Sequence, residues 1–283
     1  MAGREAVIVS HIRRAPAKFV IVSVALALCS QLLSCGGASS PTVTPPPTAE
    51  AQGYYEGRLS IGGSIYLLVL PNDQIYGMYG IASQPNYVTD VITGSVQESD
   101  FNYTASVCDS YQAETCGDET ITGSLVAGTS FNGAINALPY PHPFTAAPPS
   151  ASIYDYNVRA QLSQLSGAYP GFVMGEAGQT STSIDPSGAL SASSDFGCAI
   201  SGTFTPSASG KNFFDVTLTF GELCGPAGQT LTGAGIVKLS TDGKSKVLFS
   251  AVSNSTNTAN TILIGSTPPP SASRGENSIA RVP

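Results

Sequence analysis

The segment Asn212-Phe-Phe-Asp-Val-Thr-Leu-Thr-Phe220 constrains the fold more than any other stretch of the chain. Phe213, Asp215, Thr217 and Thr219 alternate there with Phe214, Val216, Leu218 and Phe220. Successive side chains of a strand point to opposite faces, so a period of two predicts a half-buried β-strand with one face turned inward. Composition extends this reading to the rest of the chain. Charged residues are 11 % of the 283, Trp is absent, and Gly (30) and Pro (20) are plentiful. Surface helices draw on Glu, Lys, Arg and Ala, whereas this mixture suits short strands joined by tight turns. The expected fold class is all-β.

Two halves follow a common plan. The first opens with Gly53-Tyr-Tyr-Glu-Gly57, continues through Ser64-Ile-Tyr-Leu-Leu-Val-Leu70, turns at Pro71-Asn-Asp73 and resumes at Gln74-Ile-Tyr-Gly-Met-Tyr79. Strand-like runs recur at Val91–Val96, Phe101–Val107 and Ile121–Val126. The second opens with Leu165-Ser-Gly-Ala-Tyr169 and passes the turn Asp185-Pro-Ser-Gly188, with the whole region Gly178–Gly188 read as turn, to Gly197-Cys-Ala-Ile-Ser-Gly-Thr-Phe204. Further runs lie at Leu231–Val237, Lys246–Val252 and Thr261–Ile264. Short strands at such spacing form antiparallel meanders that close into barrels or pack as sandwiches. Two tandem small up-and-down barrels are the preferred architecture, because closure removes exposed strand edges; a pair of sandwiches is the alternative. The expected boundaries are a first β-domain at 53–136, a Pro-rich linker at 137–150, a second β-domain at 151–265, and a disordered tail at 266–283.

The first fifty residues read as an address. Arg13, Arg14 and Lys18 precede the apolar run Phe19–Leu28, which ends at Leu32-Leu33-Ser34-Cys35-Gly36. A basic segment, a short apolar core and a small residue at the cut make a secretory signal peptide, here residues 1–34. Leu32, Ser34 and Cys35 resemble the lipobox of bacterial lipoproteins, in which the thiol carries diacylglycerol and fatty acyl chains such as palmitate. Leu33 departs from the usual small residue, and Cys29, preceded by Leu28, fits the pattern poorly. Phe19–Leu33 would rise roughly 22 Å as a helix, short of the ~30 Å core of a bilayer, which disfavours a retained transmembrane anchor. Residues 35–52, rich in Pro, Ser and Thr, read as a solvated tether. The expected location is the cell envelope, as an outer-membrane lipoprotein facing the periplasm or the surface. Taking the four basic residues and one acid of residues 1–34 from the chain's 12 and 19 leaves 8 and 18, a formal charge of −10. Such a surface repels phosphate backbones, so nucleic acid is not an expected partner.

The motifs Gly53-Tyr-Tyr-Glu-Gly57, Tyr76-Gly-Met-Tyr-Gly80, Gly197-Cys-Ala-Ile-Ser-Gly202 and Gly210-Lys-Asn-Phe-Phe-Asp-Val216 resemble uncharacterised surface lipoproteins of β-proteobacteria. A looser likeness links the chain to the small barrels of transferrin-binding-protein-type lipoproteins and to lipocalins. These resemblances imply the two-domain β-architecture and an envelope location; they imply no activity and no ligand residue.

Chemistry-bearing residues are sparse. Cys108 and Cys116 fall in the first half, Cys198 and Cys224 in the second, and an even number in an exported protein reads as disulfides, Cys108 with Cys116 and Cys198 with Cys224. No CxxC occurs, and His142 is the only histidine after residue 34, which leaves little for a zinc site or a Ser-His-Asp triad. His142 itself, in Tyr140-Pro-His-Pro-Phe144, reads as an exposed linker residue. Glu56, Asp73, Asp90, Asp195 and Asp215 are scattered over turns and strand ends, with no sequence reason to pair two of them for glycosidase chemistry. Asp109, Glu114, Asp118 and Glu119 surround the first cysteine loop without the spacing of a calcium-binding EF-hand loop. Neither a Walker-type nor a Rossmann glycine pattern appears, so no nucleotide cofactor is expected. Tyr54, Tyr55, Tyr66, Tyr76 and Tyr79 could line a ligand surface, but packing is the preferred reading. The chain is therefore expected to be a lipid-anchored envelope protein with a noncatalytic binding or structural role. It would have no catalytic or metal residues and no cofactor, and an envelope protein, glycan or small apolar molecule as partner. The alternative is a secreted carboxylate-dependent glycan-active enzyme.

Overall fold

A computed structural model describes residues 51–80, 90–99, 102–107, 119–136, 141–176, 179–256 and 259–267. All of them lie in the compact unit Pro46–Pro283. The expected signal peptide, Cys35, most of the tether, the Cys108 and Cys116 pair and the tail beyond Thr267 lie outside the described residues. No described helix is long and apolar enough to cross a membrane.

The fold is all-β and consists of two barrel-like units. The first has strands β1 (Gly53–Leu59), β2 (Ser64–Val69), β3 (Gln74–Tyr79), β4 (Asp90–Ser95), β5 (Gln97–Ser99), β6 (Asn102–Val107), β7 (Glu119–Val126), β8 (Ser130–Ile135) and β9 (His142–Ala147). They form one curled antiparallel sheet in the order β4-β3-β2-β1-β9-β8-β7-β6-β5. A short helix α1 (Leu162–Leu165) then leads into β10 (Gly167–Val173), β11 (Thr180–Ile184), β12 (Ala189–Ser194), β13 (Ala199–Pro206), β14 (Phe214–Phe220), β15 (Thr230–Leu239), β16 (Lys246–Ser253) and β17 (Asn260–Ser266). These eight close into an up-and-down barrel, β10 pairing with both β11 and β17. The expected pair of tandem barrel-like domains is present, the second as a closed barrel and the first as a curled half-barrel sheet.

Three parts of the sequence reading need correction. Residues 142–147 of the expected linker form a strand: β9 pairs with both β8 and β1, so the first unit extends to Ala147. The prolines obscured a period of two, in which Phe144 and Ala146 are buried while Pro143, Thr145 and Ala147 are exposed. Pro143 is tolerated because the ladder to β1 begins one residue later, at Phe144, so its missing N–H leaves no gap there. Its carbonyl still accepts from Ser60 N–H at 2.8 Å. His142 is accordingly a half-buried strand residue opposite Ile135, not an exposed linker residue. Residues 178–188 are not one turn either, since β11 occupies Thr180–Ile184 with Thr180, Thr182 and Ile184 buried. The expected turn at Asp185–Gly188 is present, held by the Asp185 carboxylate: the Ser187 hydroxyl first, and then the Ala189 and Ser187 N–H groups, donate to it and hold it below the usual carboxylate range. Finally, Ala51, placed in the tether, is 1 % exposed and belongs to the first core. Its carbonyl accepts the Tyr55 hydroxyl at 3.1 Å.

Alternation sorts the side chains into three cores. Tyr55, Leu67, Ile75, Ile92, Ile121 and Phe131 fill the first unit. Tyr169, Phe204, Phe214, Leu218, Phe220 and Leu248 fill the closed barrel. The opposite faces of the same strands make the third: Tyr54, Leu68, Met78 and Val91 of the first unit meet Ala234, Ile236, Phe249 and Ile262 of the second. Strands β1–β4 and β15–β17 therefore bury both faces. This explains why Ile65–Leu70 reads as an unbroken apolar run instead of alternating.

Candidate binding site at the seam between the barrels

Glu56 and Lys238 meet across the seam. Glu56 lies on the outer face of β1 and Lys238 on the outer face of β15, and their side chains form an ion pair at 24 % and 10 % exposure. The Lys238 ammonium also lies 5.6 Å from the centre of the Tyr66 ring and 5.5 Å from that of Phe249, and those two rings stack on each other at 5.1 Å. A lysine so placed satisfies its charge through the carboxylate and the faces of two rings, and it covers apolar surface with its methylene stem.

Beside it the Tyr54 phenol is buried. Burial, and then the Glu56 charge, push its pKa well above the ordinary value for tyrosine. Tyr54 packs edge-on against Tyr154 at 5.0 Å. The connection between the units is held by two further phenols: Tyr154 donates to the Asn212 carbonyl, and Tyr156 donates to the Val69 carbonyl at 3.2 Å. Burial also raises the Tyr154 pKa well above its ordinary value.

Grooves run along this seam. The widest, about 560 Å³, is lined by Tyr66, Phe172, Lys238, Val247, Phe249 and Ile264, with the hydroxyls of Ser240, Thr241 and Ser266 at its margin. A second, about 400 Å³, reaches Lys238 from the side of Ile153, Val158 and Lys246. A third, about 210 Å³, lies against Tyr54, Tyr154 and Tyr156 near Pro148. Lys238 is the one charged side chain lining the widest groove, and Glu56 neutralises it. None of these three is lined by two carboxylates, Asp155 being the one acid in each of the smaller two.

The acids singled out from sequence are spread over the molecule. Glu56 is in the ion pair just described. Asp73 sits in the β2–β3 turn with φ 62°, Asp90 begins β4 and is buried, and Asp195 accepts from Gln179 N–H at 3.0 Å. Asp215 lies on the outer face of β14, where partial burial raises its pKa; burial, and then the Asp215 charge, raise that of Tyr76. Asp109, Glu114 and Asp118 are outside the described residues, and Glu119 begins β7. The five tyrosines divide by parity: Tyr55 and Tyr79 enter the first core, while Tyr54, Tyr66 and Tyr76 face the seam.

Cys198 and Cys224 are joined, with an S–S distance of 2.11 Å. The Glu176 carboxylate brings an oxygen within 4.8 Å of both sulfurs, but with the sulfurs bonded to each other it is the one ligand left for a cation, and it already accepts Gly225 N–H at 2.5 Å. Lys238, Phe172 and Phe249, central to the seam, were not singled out from sequence. A signal was present in Thr232-Gly-Ala-Gly-Ile-Val-Lys238, where apolar residues fall on both faces of one strand and must cover something besides the barrel interior. No family model, no curated protein and no solved structure matches this chain.

Proposed function

We propose that this chain is an exported envelope lipoprotein, acylated at Cys35, whose paired barrels form a noncatalytic binding module for a neutral amphipathic ligand, a glycan or a small apolar molecule. The observation that carries the reading is the make-up of the widest seam groove. Its floor is aromatic and aliphatic, its margin carries hydroxyls, and its single cation is already neutralised. Apolar clefts with a few oriented polar groups bind ligands through buried contact and take orientation from the polar rim. Hydrolysis of a glycosidic bond calls for two carboxyl groups at a set separation, and this groove's lining supplies none. The Cys198–Cys224 bond suits an oxidising compartment, which supports export. The likeness of Gly53–Gly57 and Gly197–Gly202 to surface lipoproteins points the same way.

Two measurements test this. Intact mass of the chain expressed with its own leader should show acyl mass at Cys35, with precursor accumulating under globomycin and no acylation in Cys35→Ala; cleavage without lipid would remove the anchor. The purified exported region should take up Nile red or score on a glycan array, and Phe172→Ala should weaken that binding several-fold. Reproducible hydrolysis of a glycan substrate would overturn the noncatalytic reading.

A further inference from the structure

Strand direction puts the β10–β11, β12–β13, β14–β15 and β16–β17 connections at one end of the closed barrel. The two most exposed large apolar side chains among the described residues stand there together, Phe196 at 71 % and Leu223 at 74 %. They come from different connections but are neighbours, since Leu223 Cδ1 lies 3.4 Å from where a Cβ on Gly197 would stand. Each is next to the Cys198–Cys224 bond, Phe196 two residues before one cysteine and Leu223 one residue before the other.

Further bonds hold the connections to one another. Glu176 accepts Gly225 N–H at 2.5 Å, and Asp195 accepts Gln179 N–H at 3.0 Å and returns its own N–H to the Gln179 carbonyl at 3.0 Å. Within the β12–β13 connection Ser194 Oγ accepts Cys198 N–H at 3.2 Å. Two exposed apolar side chains on mobile loops would be unremarkable. Held by a disulfide and cross-connection bonds, they are preorganised, which is what lowers the entropy cost of binding and marks interface hot spots.

Charge specifies the partner. The chain at this end, 174–179, 195–198, 221–229 and 254–259, contains Glu176, Asp195 and Glu222 and no Lys or Arg. The opposite connections are mixed, with Lys211 and Lys244 alongside Asp185 and Asp242. An apolar pair on connections whose charged residues are all carboxylates is repelled by anionic lipid and complements an apolar pocket with a basic rim. We propose that the disulfide-stapled end of the closed barrel is a docking surface for a protein partner presenting such a pocket, with Phe196 and Leu223 as the anchors. The inference stands on the barrel end alone and depends neither on the seam groove nor on acylation at Cys35.

The test places a photo-crosslinking benzoylphenylalanine at 196, 223 or 208 of the full chain in intact cells. Ala208, exposed at the opposite end and away from the seam grooves, is the control. A discrete protein adduct is expected from 196 and 223 and not from 208. After identification of the adduct by mass spectrometry and purification of both proteins, Leu223→Ser should weaken the complex at least tenfold at unchanged thermal midpoint. Glu222→Lys should weaken it several-fold and flatten its dependence on ionic strength between about 50 and 500 mM, where screening removes long-range attraction. Adducts with lipid alone or with a second copy of this chain overturn the proposal. So do adducts from all three positions alike, no adduct from 196 or 223, and a complex indifferent to Leu223→Ser and Glu222→Lys.

Discussion

Tyr55 and Tyr169 occupy the same place in their two units, yet only the second unit closes on itself. Each is fully buried on the first strand of its unit and donates its hydroxyl to the carbonyl four residues earlier, Tyr55 to Ala51 at 3.1 Å and Tyr169 to Leu165 at 2.5 Å. Two residues on, Gly57 and Gly171 face the closing strand so closely that a Cβ on either would lie 1.8 Å from a backbone oxygen, of Thr145 or of Ile264. Only glycine permits that crossing. Beyond these shared starts, every strand of the second unit has two ladder partners, whereas the first sheet ends at β4 and β5. The closed barrel thus carries its hydrogen bonding within itself and gains a disulfide. The curled sheet depends on the seam, where the outer faces of β1–β4 are covered by β15–β17.

Mutations in each unit test this contrast directly. The largest effects should come from emptying each core. Phe131→Ala in the curled sheet and Phe214→Ala in the closed barrel should each cost about 3–5 kcal/mol. In denaturant unfolding, Phe131→Ala should leave a later barrel transition in place, whereas Phe214→Ala should lower both, because the seam loses its partner. A single transition lowered equally by the two variants would mean that the units are one cooperative body and that the contrast in closure has no energetic meaning.

Next in size is the double replacement Cys198→Ser with Cys224→Ser, expected to remove about 2–4 kcal/mol. The loss should appear in the barrel transition alone; an equal loss in the first unit would contradict the separation. Glu56→Gln should cost about 1–3 kcal/mol by leaving a mostly buried ammonium without its carboxylate. That cost should show as loosening of the seam, read by hydrogen exchange in β1 and β15. Unchanged exchange there would show that ring stacking alone holds Lys238.

The smallest effect expected is alkaline. Tyr54 and Tyr154 have pKa values raised in the fold, so the folded protein holds protons that the unfolded chain releases above about pH 10. Their contribution is complete below that pH and is lost as pH rises further. Tyr54→Phe should shallow the decline, as followed by phenolate absorbance against tryptic susceptibility. A decline as steep in the variant would place the titrating group elsewhere.

Local pattern made much of this architecture legible. The alternation at Phe213–Phe220 put Phe214, Val216, Leu218 and Phe220 on one buried face, and the cysteine parity named the Cys198–Cys224 pair. The repeated Gly-x-Tyr-x-Gly of residues 53–57 and 167–171 was also present in the sequence. Its meaning emerges only once both tyrosines are seen to cap a barrel and both glycines to meet a closing strand. The candidate site was less legible. Glu56 and Lys238 are 182 residues apart, and nothing in the neighbourhood of either names the other.

The sequence by itself determined the strand class, the turn positions with their glycines and acids, the alternation that fills each barrel, and the disulfide, because these depend on residues near in the chain or on parity. That Pro143 lies in a strand, that Tyr54, Tyr66 and Phe249 share a seam, and that Leu223 packs against Gly197, next in the chain to Phe196, emerge only in the folded chain. Each of these depends on which surfaces of distant strands face each other, and a period of two distinguishes the faces of a strand without naming what covers them.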